Sequence, residues 1–297
     1  MQVWAMLRFT PPEAFVPFAE AAKEEPPLGQ STFLQLRQFI YQLSGVWIAD
    51  NRQYFLKARL ARRLRALGLQ RFEEYLRYVT GTDAAALREQ QEMLNAIVVL
   101  ESAFFRTPEH FEAIARTIVP ELQRSGLPLR LWSAGCAAGE EPYSLAMVLH
   151  RYGMLSEQLE LWGTDVSTDA ITQAQRGRYP AATVRIPAEY EPYVVRYGPE
   201  LEVIPELRQR VRFGVLNLVN TDAVHQMAPM GVILCRNVLL YFAPDVRRRV
   251  VQSLVDALVP GGYLFVGGTE TLTGMDARLQ LVHFPGALAY RRSEAGL

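Results

Sequence analysis

Leu129-Arg130-Leu131-Trp132-Ser133-Ala134-Gly135-Cys136-Ala137-Ala138-Gly139-Glu140-Glu141-Pro142 is the stretch on which the fold turns. Residues 129–134 are apolar enough for a strand, 135–139 are bracketed by glycines, and 140–152 read as a helix. The same texture recurs downstream. Strands are predicted at 159–164, 211–215, 231–235, 263–267 and 287–291, with helices at 168–176 and 244–258, the latter closed by Pro260-Gly261-Gly262. Strands that alternate with helices imply an α/β, doubly wound, mostly parallel sheet of Rossmann-like type.

In such a sheet the loop after the first strand offers its backbone amides to a nucleotide-like ligand. Gly135 and Gly139 lack a Cβ and allow close approach. The third glycine of the dinucleotide fingerprint is missing, and Glu140-Glu141 stands in its place. Two carboxylates beside a helix N-terminus repel a pyrophosphate but tolerate a sulfonium or an ammonium. That favours S-adenosylmethionine, with S-adenosylhomocysteine as product, over NAD. Asp165, which follows the next strand in Gly163-Thr164-Asp165, is suited to accept hydrogen bonds from both ribose hydroxyls of an adenosyl group. The plainer alternative is that Glu140 and Asp165 cap helices.

Upstream the pattern changes. Residues 31–100 carry apolar stripes at helical spacing (Leu34, Phe39, Ile40, Leu43; Tyr54, Leu60, Leu64, Leu67) and predict a small all-α domain of about four helices. Ser31 and Asp50 are candidate N-caps, and Gly68 and Gly81 candidate stops. Residues 1–30, with five prolines, read as a poorly ordered arm. Residues 101–297 form the α/β domain. Within it 179–210, rich in proline, breaks the alternation and is expected to be an inserted β-subdomain.

Bulk composition excludes several classes. The 297 residues are 49% hydrophobic, and 31 basic residues balance 31 acidic ones, so no global charge argues for nucleic acid or an anionic membrane. Cys136 and Cys235 are too few for a disulfide framework. Neither they nor His110, His150, His225 and His283 have metal-ligand spacing, and no metal is expected. No run approaches the ~20 apolar residues of a membrane span, and the N-terminus has no apolar signal core. A cytoplasmic monomer is the expectation.

Four stretches resemble the CheR-type family, the chemotaxis-receptor protein-glutamate O-methyltransferases. They are Ser102-Ala103-Phe104-Phe105-Arg106 with His110-Phe111, Trp132 through Tyr143, Asn217-Leu218, and Cys235-Arg236-Asn237-Val238-Leu239-Leu240-Tyr241-Phe242 followed by Gly261-Gly262-Tyr263-Leu264. The resemblance runs from about residue 31 to 292. It implies a Rossmann-like methyltransferase fold, S-adenosylmethionine as cofactor and a chemoreceptor's cytoplasmic domain as partner. Ser102, Arg106, Gly135, Glu141, Asp165, Asn217, Leu218, Asn237 and Val238 match cofactor-contacting positions, and Arg106 and Tyr241 match positions near the transferring methyl. The helical domain resembles the family's receptor-docking part. Arg59, Arg62 and Arg63, in a short basic helix, are then candidates for contact with acidic receptor helices; read alone, such a run is a solvated face. Phe104, Phe105 and Phe111 read as core packing.

Departures exist. Leu100 stands where the family carries an asparagine amide, a loss worth about 1.5–3 kcal/mol if it contacted a charged ligand. Ala137-Ala138 replaces a Ser-Thr pair, and Gly268-Thr269-Glu270 replaces Gly-His-Ser-Glu. These leave open a catalytically weakened or inactive module that binds a receptor or the cofactor, or a methyltransferase for another protein carboxylate. A glutamate acceptor, with a pKa of ~4.3, is already ionised and needs no general base. None of the histidines or cysteines, His110, Cys136 and Cys235 within the motifs included, reads as catalytic, which fits this chemistry.

Overall fold

The computed structural model describes residues 26–294. Most of the arm expected at 1–30 lies outside the described residues. Its last part is tied down: Leu28 is buried in the helical core, and its carbonyl accepts a 2.7 Å bond from Gln53 Nε2.

Four helices follow: α1 (Gln30–Ser44), α2 (Gln53–Leu67), α3 (Phe72–Val79) and α4 (Ala84–Ile97). Phe33, Leu36, Ile40, Leu56, Leu60, Phe72, Tyr75 and Met93 close one core between them. Gly68 ends α2 in the left-handed region at φ 69°, as a C-terminal glycine should. The expected caps differ. α1 starts at Gln30, ahead of Ser31, and Asp50 sits in a 3₁₀ turn, whereas Asp83 is a true N-cap whose carboxylate accepts from the amides of Ala85 and Ala86.

The α/β domain opens with α5 (Pro108–Ala113) and α6 (Val119–Arg124), joined by a π-turn. Then come β1 (Arg130–Ala134), α7 (Glu140–Arg151), β2 (Glu160–Asp165), α8 (Thr168–Arg176), β3 (Arg178–Pro180), β4 (Val194–Tyr197), β5 (Glu200–Val203), α9 (Pro205–Arg208), β6 (Val211–Val215), α10 (Thr221–His225), β7 (Met230–Cys235), α11 (Pro244–Ala257), β8 (Leu258–Val266), β9 (Leu279–Phe284) and β10 (Ala287–Arg292). The main sheet has the order β6-β2-β1-β7-β8-β10-β9. Its first five strands run parallel, and β10 pairs antiparallel with β8 and β9. Every residue of β7 is buried, as expected of a central strand covered on both faces. One core lies on each face of the sheet. The inserted β-subdomain is a three-stranded antiparallel sheet, β3-β5-β4.

Two local expectations fail for physical reasons. Pro260-Gly261-Gly262 does not separate helix from strand. β8 begins at Leu258 and runs through this stretch, where the pairing with β7 slips and a proline's missing donor is tolerated. β9 was not expected, because this edge strand is only half-buried or exposed and lacks a clean apolar alternation.

Strand order reverses between β1, whose successor β2 lies on one side, and β7 on the other. Ligands bind in the crevice outside such a switch point. The helical domain roofs it. Asn217 Nδ2 donates to the Leu43 carbonyl (2.8 Å), Trp47 N–H to the Tyr241 carbonyl (3.0 Å), and Tyr41 hydroxyl to Asp245 (2.7 Å). Gly45, at φ 71°, lets the chain turn against Val246 and Val219, where a Cβ would come within 2.7 Å of both side chains.

Candidate active site

A cleft of about 370 Å³ occupies this crevice. Its floor is the loop after β1. Gly135 (φ 86°) must be glycine twice over, since a Cβ there would also meet Val238 at 2.5 Å. Ala137 adopts a left-handed φ of 47°, and its N–H donates to Asp165 Oδ2 at 3.0 Å. Asp165 Oδ1 accepts from the Ser167 N–H at 3.0 Å. Burial pushes the Asp165 carboxyl up, and these amides pull it back.

Glu141 lies in the first turn of α7. Its Oε1 accepts from Ser133 Oγ at 2.6 Å, and its Oε2 pairs with Arg236 Nη1 at 3.1 Å. Burial raises this carboxyl, opposed first by Arg236 and then by Ser133. The two acids of Glu140-Glu141 have different roles. Glu141 lines the cleft, while Glu140 does not; burial raises the Glu140 carboxyl, opposed by its own backbone amide and by the Ser102 hydroxyl.

Arg106 projects from a tight turn in which both neighbours, Phe105 (φ 53°) and Thr107 (φ 55°), are left-handed. Strain of this kind survives only where surrounding contacts over-determine it. The Phe105 N–H bonds to Ser144 Oγ (2.9 Å). The Phe104 ring meets Tyr179 edge-on at 4.9 Å, and that of Phe105 stacks on Tyr190 at 4.3 Å. Both phenylalanines therefore pack against the inserted β-subdomain. The Arg106 guanidinium reaches Asn237 Oδ1 at 3.5 Å and Glu101 at 3.8 Å.

All ten residues assigned to cofactor or methyl from sequence (Ser102, Arg106, Gly135, Glu141, Asp165, Asn217, Leu218, Asn237, Val238 and Tyr241) line this one cleft. Asn217 does so with its carboxamide committed elsewhere, to the Leu43 carbonyl and the Val219 N–H. Sequence reasoning missed Arg236, whose side chain is 2% exposed and whose Nη2 donates to the Arg106 carbonyl. It also missed the wall supplied by Trp47, Ile48 and Arg52, for which the sequence carries no periodic or motif signal.

The three arginines expected to dock a receptor, Arg59, Arg62 and Arg63, lie on α2, outside the cleft. Arg59 and Arg62 are exposed, and Arg59 sits 5.3 Å from the ring of Phe55, a cleft residue. Arg63 does something else. It pairs with Glu89, itself 3% exposed, and with Glu92, so its charge is spent inside the helical domain.

The cleft suits a cofactor with an adenosyl group and a cationic end. It joins two acids (Glu141, Asp165), apolar faces (Leu218, Val238) and a cradle that only glycine permits. Among the described residues no cluster could hold a metal, and no helix is long and apolar enough to cross a membrane. The profile described as CheR methyltransferase, SAM binding domain, matches residues 100–287, and that of the CheR methyltransferase all-alpha domain matches 31–98. The chain is 29% identical to the chemotaxis protein methyltransferase Cher2 of Pseudomonas putida (89% of this chain, 98% of that protein). It is 31% identical to chemotaxis protein methyltransferase 2 of Vibrio cholerae (89% and 93%) and to the chemotaxis protein methyltransferase of Escherichia coli (86% and 89%). Matched over both its domains, with S-adenosylmethionine as cofactor, the chain belongs to the CheR methyltransferase family.

Proposed function

We propose that the chain methylates glutamate side chains on the cytoplasmic domain of a chemoreceptor or a similar acidic helical signalling protein, as a cytoplasmic monomer, and so forms glutamate methyl esters. The observation that carries this reading is the position of Arg106 and Tyr241 in the same cleft as Glu141 and Asp165, with no histidine or cysteine among the residues that line it. The relatives' names, chemotaxis protein methyltransferases, support the receptor as acceptor.

When bound, the cofactor supplies a methyl on a sulfonium, a leaving group that needs no acid. The acceptor carboxylate arrives ionised, at a pKa of ~4.3. What remains for the protein is alignment and exclusion of water. Arg106, one-third exposed at the cleft, orients the carboxylate while Asn237 and Glu101 hold the guanidinium. Burial pushes the Tyr241 phenol up, helped by Glu101 and opposed by Arg106, so its hydroxyl remains a donor at neutral pH. Arg52, Phe55, Arg59 and Arg62 follow one another at helical spacing from the cleft along α2, and this basic stripe guides an acidic helix to the mouth.

The test is methyl transfer from labelled S-adenosylmethionine to a purified receptor cytoplasmic fragment, followed by mild alkali. Label released as methanol, and lost with Arg106→Ala, is the expected result. Base-stable label would exclude a carboxyl ester. No label, with S-adenosylhomocysteine binding intact, would remove the receptor as acceptor.

A further inference from the structure

The turn that carries Asn237, Val238 and Tyr241 is held from outside the cleft by one carboxylate. Glu270 Oε2 accepts from the Asn237 N–H at 2.7 Å and from the Gly267 N–H at 2.7 Å, while Oε1 accepts from the Leu240 N–H at 3.2 Å. Glu270 is half-buried and does not line the cleft; Arg236, Asn237, Val238, Leu240 and Tyr241 all do.

Two facts make this more than a local turn. Asn237 sits at φ 58°, in the left-handed region that few non-glycine residues occupy and that asparagine tolerates better than most. In that conformation its Oδ1 faces Arg106, and the turn carries the Tyr241 carbonyl to the Trp47 N–H of the roof. The constraint is also fitted closely from behind. A Cβ at Gly267 would lie 2.7 Å from Asn237 Nδ2 and 2.8 Å from Glu270 Oε2, so a glycine must follow β8 for the carboxylate to reach the turn. Amides that donate to an ionised acceptor make the stronger class of hydrogen bond, and three of them converge here.

We propose that Glu270 is a positioning residue for methyl transfer. Its carboxylate fixes the 237–241 turn, and through that turn it sets Asn237 against Arg106 and presents Tyr241 to the acceptor. The proposal rests on the reading of those three residues as site residues. It requires that loss of Glu270 loosen this turn alone and damage cofactor affinity and turnover, while leaving acceptor docking on α2 untouched.

The experiment compares Glu270→Ala and Glu270→Gln with the wild type. The glutamine oxygen can keep the two 2.7 Å bonds but turns a donor toward Leu240, so it is expected to fall between the other two. Expected for Glu270→Ala are at least tenfold weaker S-adenosylhomocysteine binding by calorimetry, at least tenfold lower kcat, and a KM for the receptor fragment within twofold. Hydrogen exchange, read without ligand, should be at least tenfold faster over 236–242, with β1 and β7 unchanged. That last measurement tests the clasp even if the wild type methylates nothing. Unchanged exchange over 236–242 would overturn the proposal. So would binding and kcat within twofold of wild type, or losses that merely follow the thermal midpoint. Should Glu270→Ala fail to fold, Glu270→Gln decides: a threefold or greater loss of affinity with 236–242 loosened supports the clasp, and wild-type behaviour refutes it.

Discussion

Arg236 and Glu141 meet as an ion pair of 3.1 Å beneath the cleft, and the arginine's other terminal nitrogen donates to the backbone carbonyl of Arg106. The acid that lines the cofactor cleft and the turn that presents Arg106 are therefore linked through one buried guanidinium, whose ring neighbour is Phe111 at 5.5 Å. Breaking such a pair leaves a charge out of water without a partner, which typically costs about 3–5 kcal/mol. Replacing both partners by apolar residues of similar volume is often neutral.

Glu141→Ala is accordingly expected to lower stability by about 3–5 kcal/mol in urea unfolding, through the stranded Arg236. The double variant Glu141→Leu/Arg236→Met should regain most of that stability while cofactor binding stays lost. If the double variant is as unstable as the single one, the pair is not what couples the cleft to the fold.

Glu141 and Asp165 give a pH prediction whose sign follows from burial. Both carboxyls are raised above their ordinary values, by desolvation in each case. A raised acid binds its proton in the folded chain before it does in the unfolded one. It therefore favours the fold at low pH, and this contribution is lost as pH rises through the raised value. A ligand ammonium needs the opposite, ionised, form. Affinity for S-adenosylhomocysteine should fall as pH is lowered from neutrality toward the ordinary carboxylate range, with protons released on binding. Calorimetry in buffers of different ionisation enthalpy reads both effects. A constant Kd without proton release would show that Glu141 does not face the cation and that Asp165 need not ionise to accept from the ribose.

Arg59, Arg62 and Arg63 of α2 are expected to separate. Arg59→Glu with Arg62→Glu should raise KM for the receptor fragment about tenfold and flatten its salt dependence, at unchanged cofactor affinity. Arg63→Ala should instead unfold at lower urea, because it strands Glu89, whose Oε1 also accepts the Tyr75 hydroxyl at 2.9 Å. Equal effects of all three on KM would return Arg63 to the docking surface.

The division between what was and was not legible follows from range. Glycines, acids and the Asn237-Val238 pair sit at strand ends, where a motif is contiguous and its geometry local, so ten residues converge on one cleft as read. Arg236 lies inside the same motif. It escaped notice because an arginine after an apolar strand looks like an exit to solvent until the fold closes over it. The Asn217 carboxamide and the Arg63 guanidinium find partners 174 and 26 residues away, at Leu43 and Glu89, and no spacing rule reaches that far. The half-buried edge strand β9 has too weak an alternation to stand out.

Leu100 is the departure from the family pattern that bears most directly on the cofactor. The residue lines the cleft and is 38% exposed, so the position faces ligand space and not the core. An asparagine there fits without overpacking and leaves no buried polar group stranded when the site is empty. The gain is then one neutral hydrogen bond, net about 0.5–1.5 kcal/mol, or roughly two- to tenfold tighter binding. Leu100→Asn should improve S-adenosylhomocysteine affinity by that factor in calorimetry, with a thermal midpoint close to wild type. The same variant separates a weakened enzyme from a site that never depended on this contact. Tighter binding with a lower KM for S-adenosylmethionine means that the leucine has detuned a working site. Unchanged or weaker binding means that the apolar side chain already packs against the ligand.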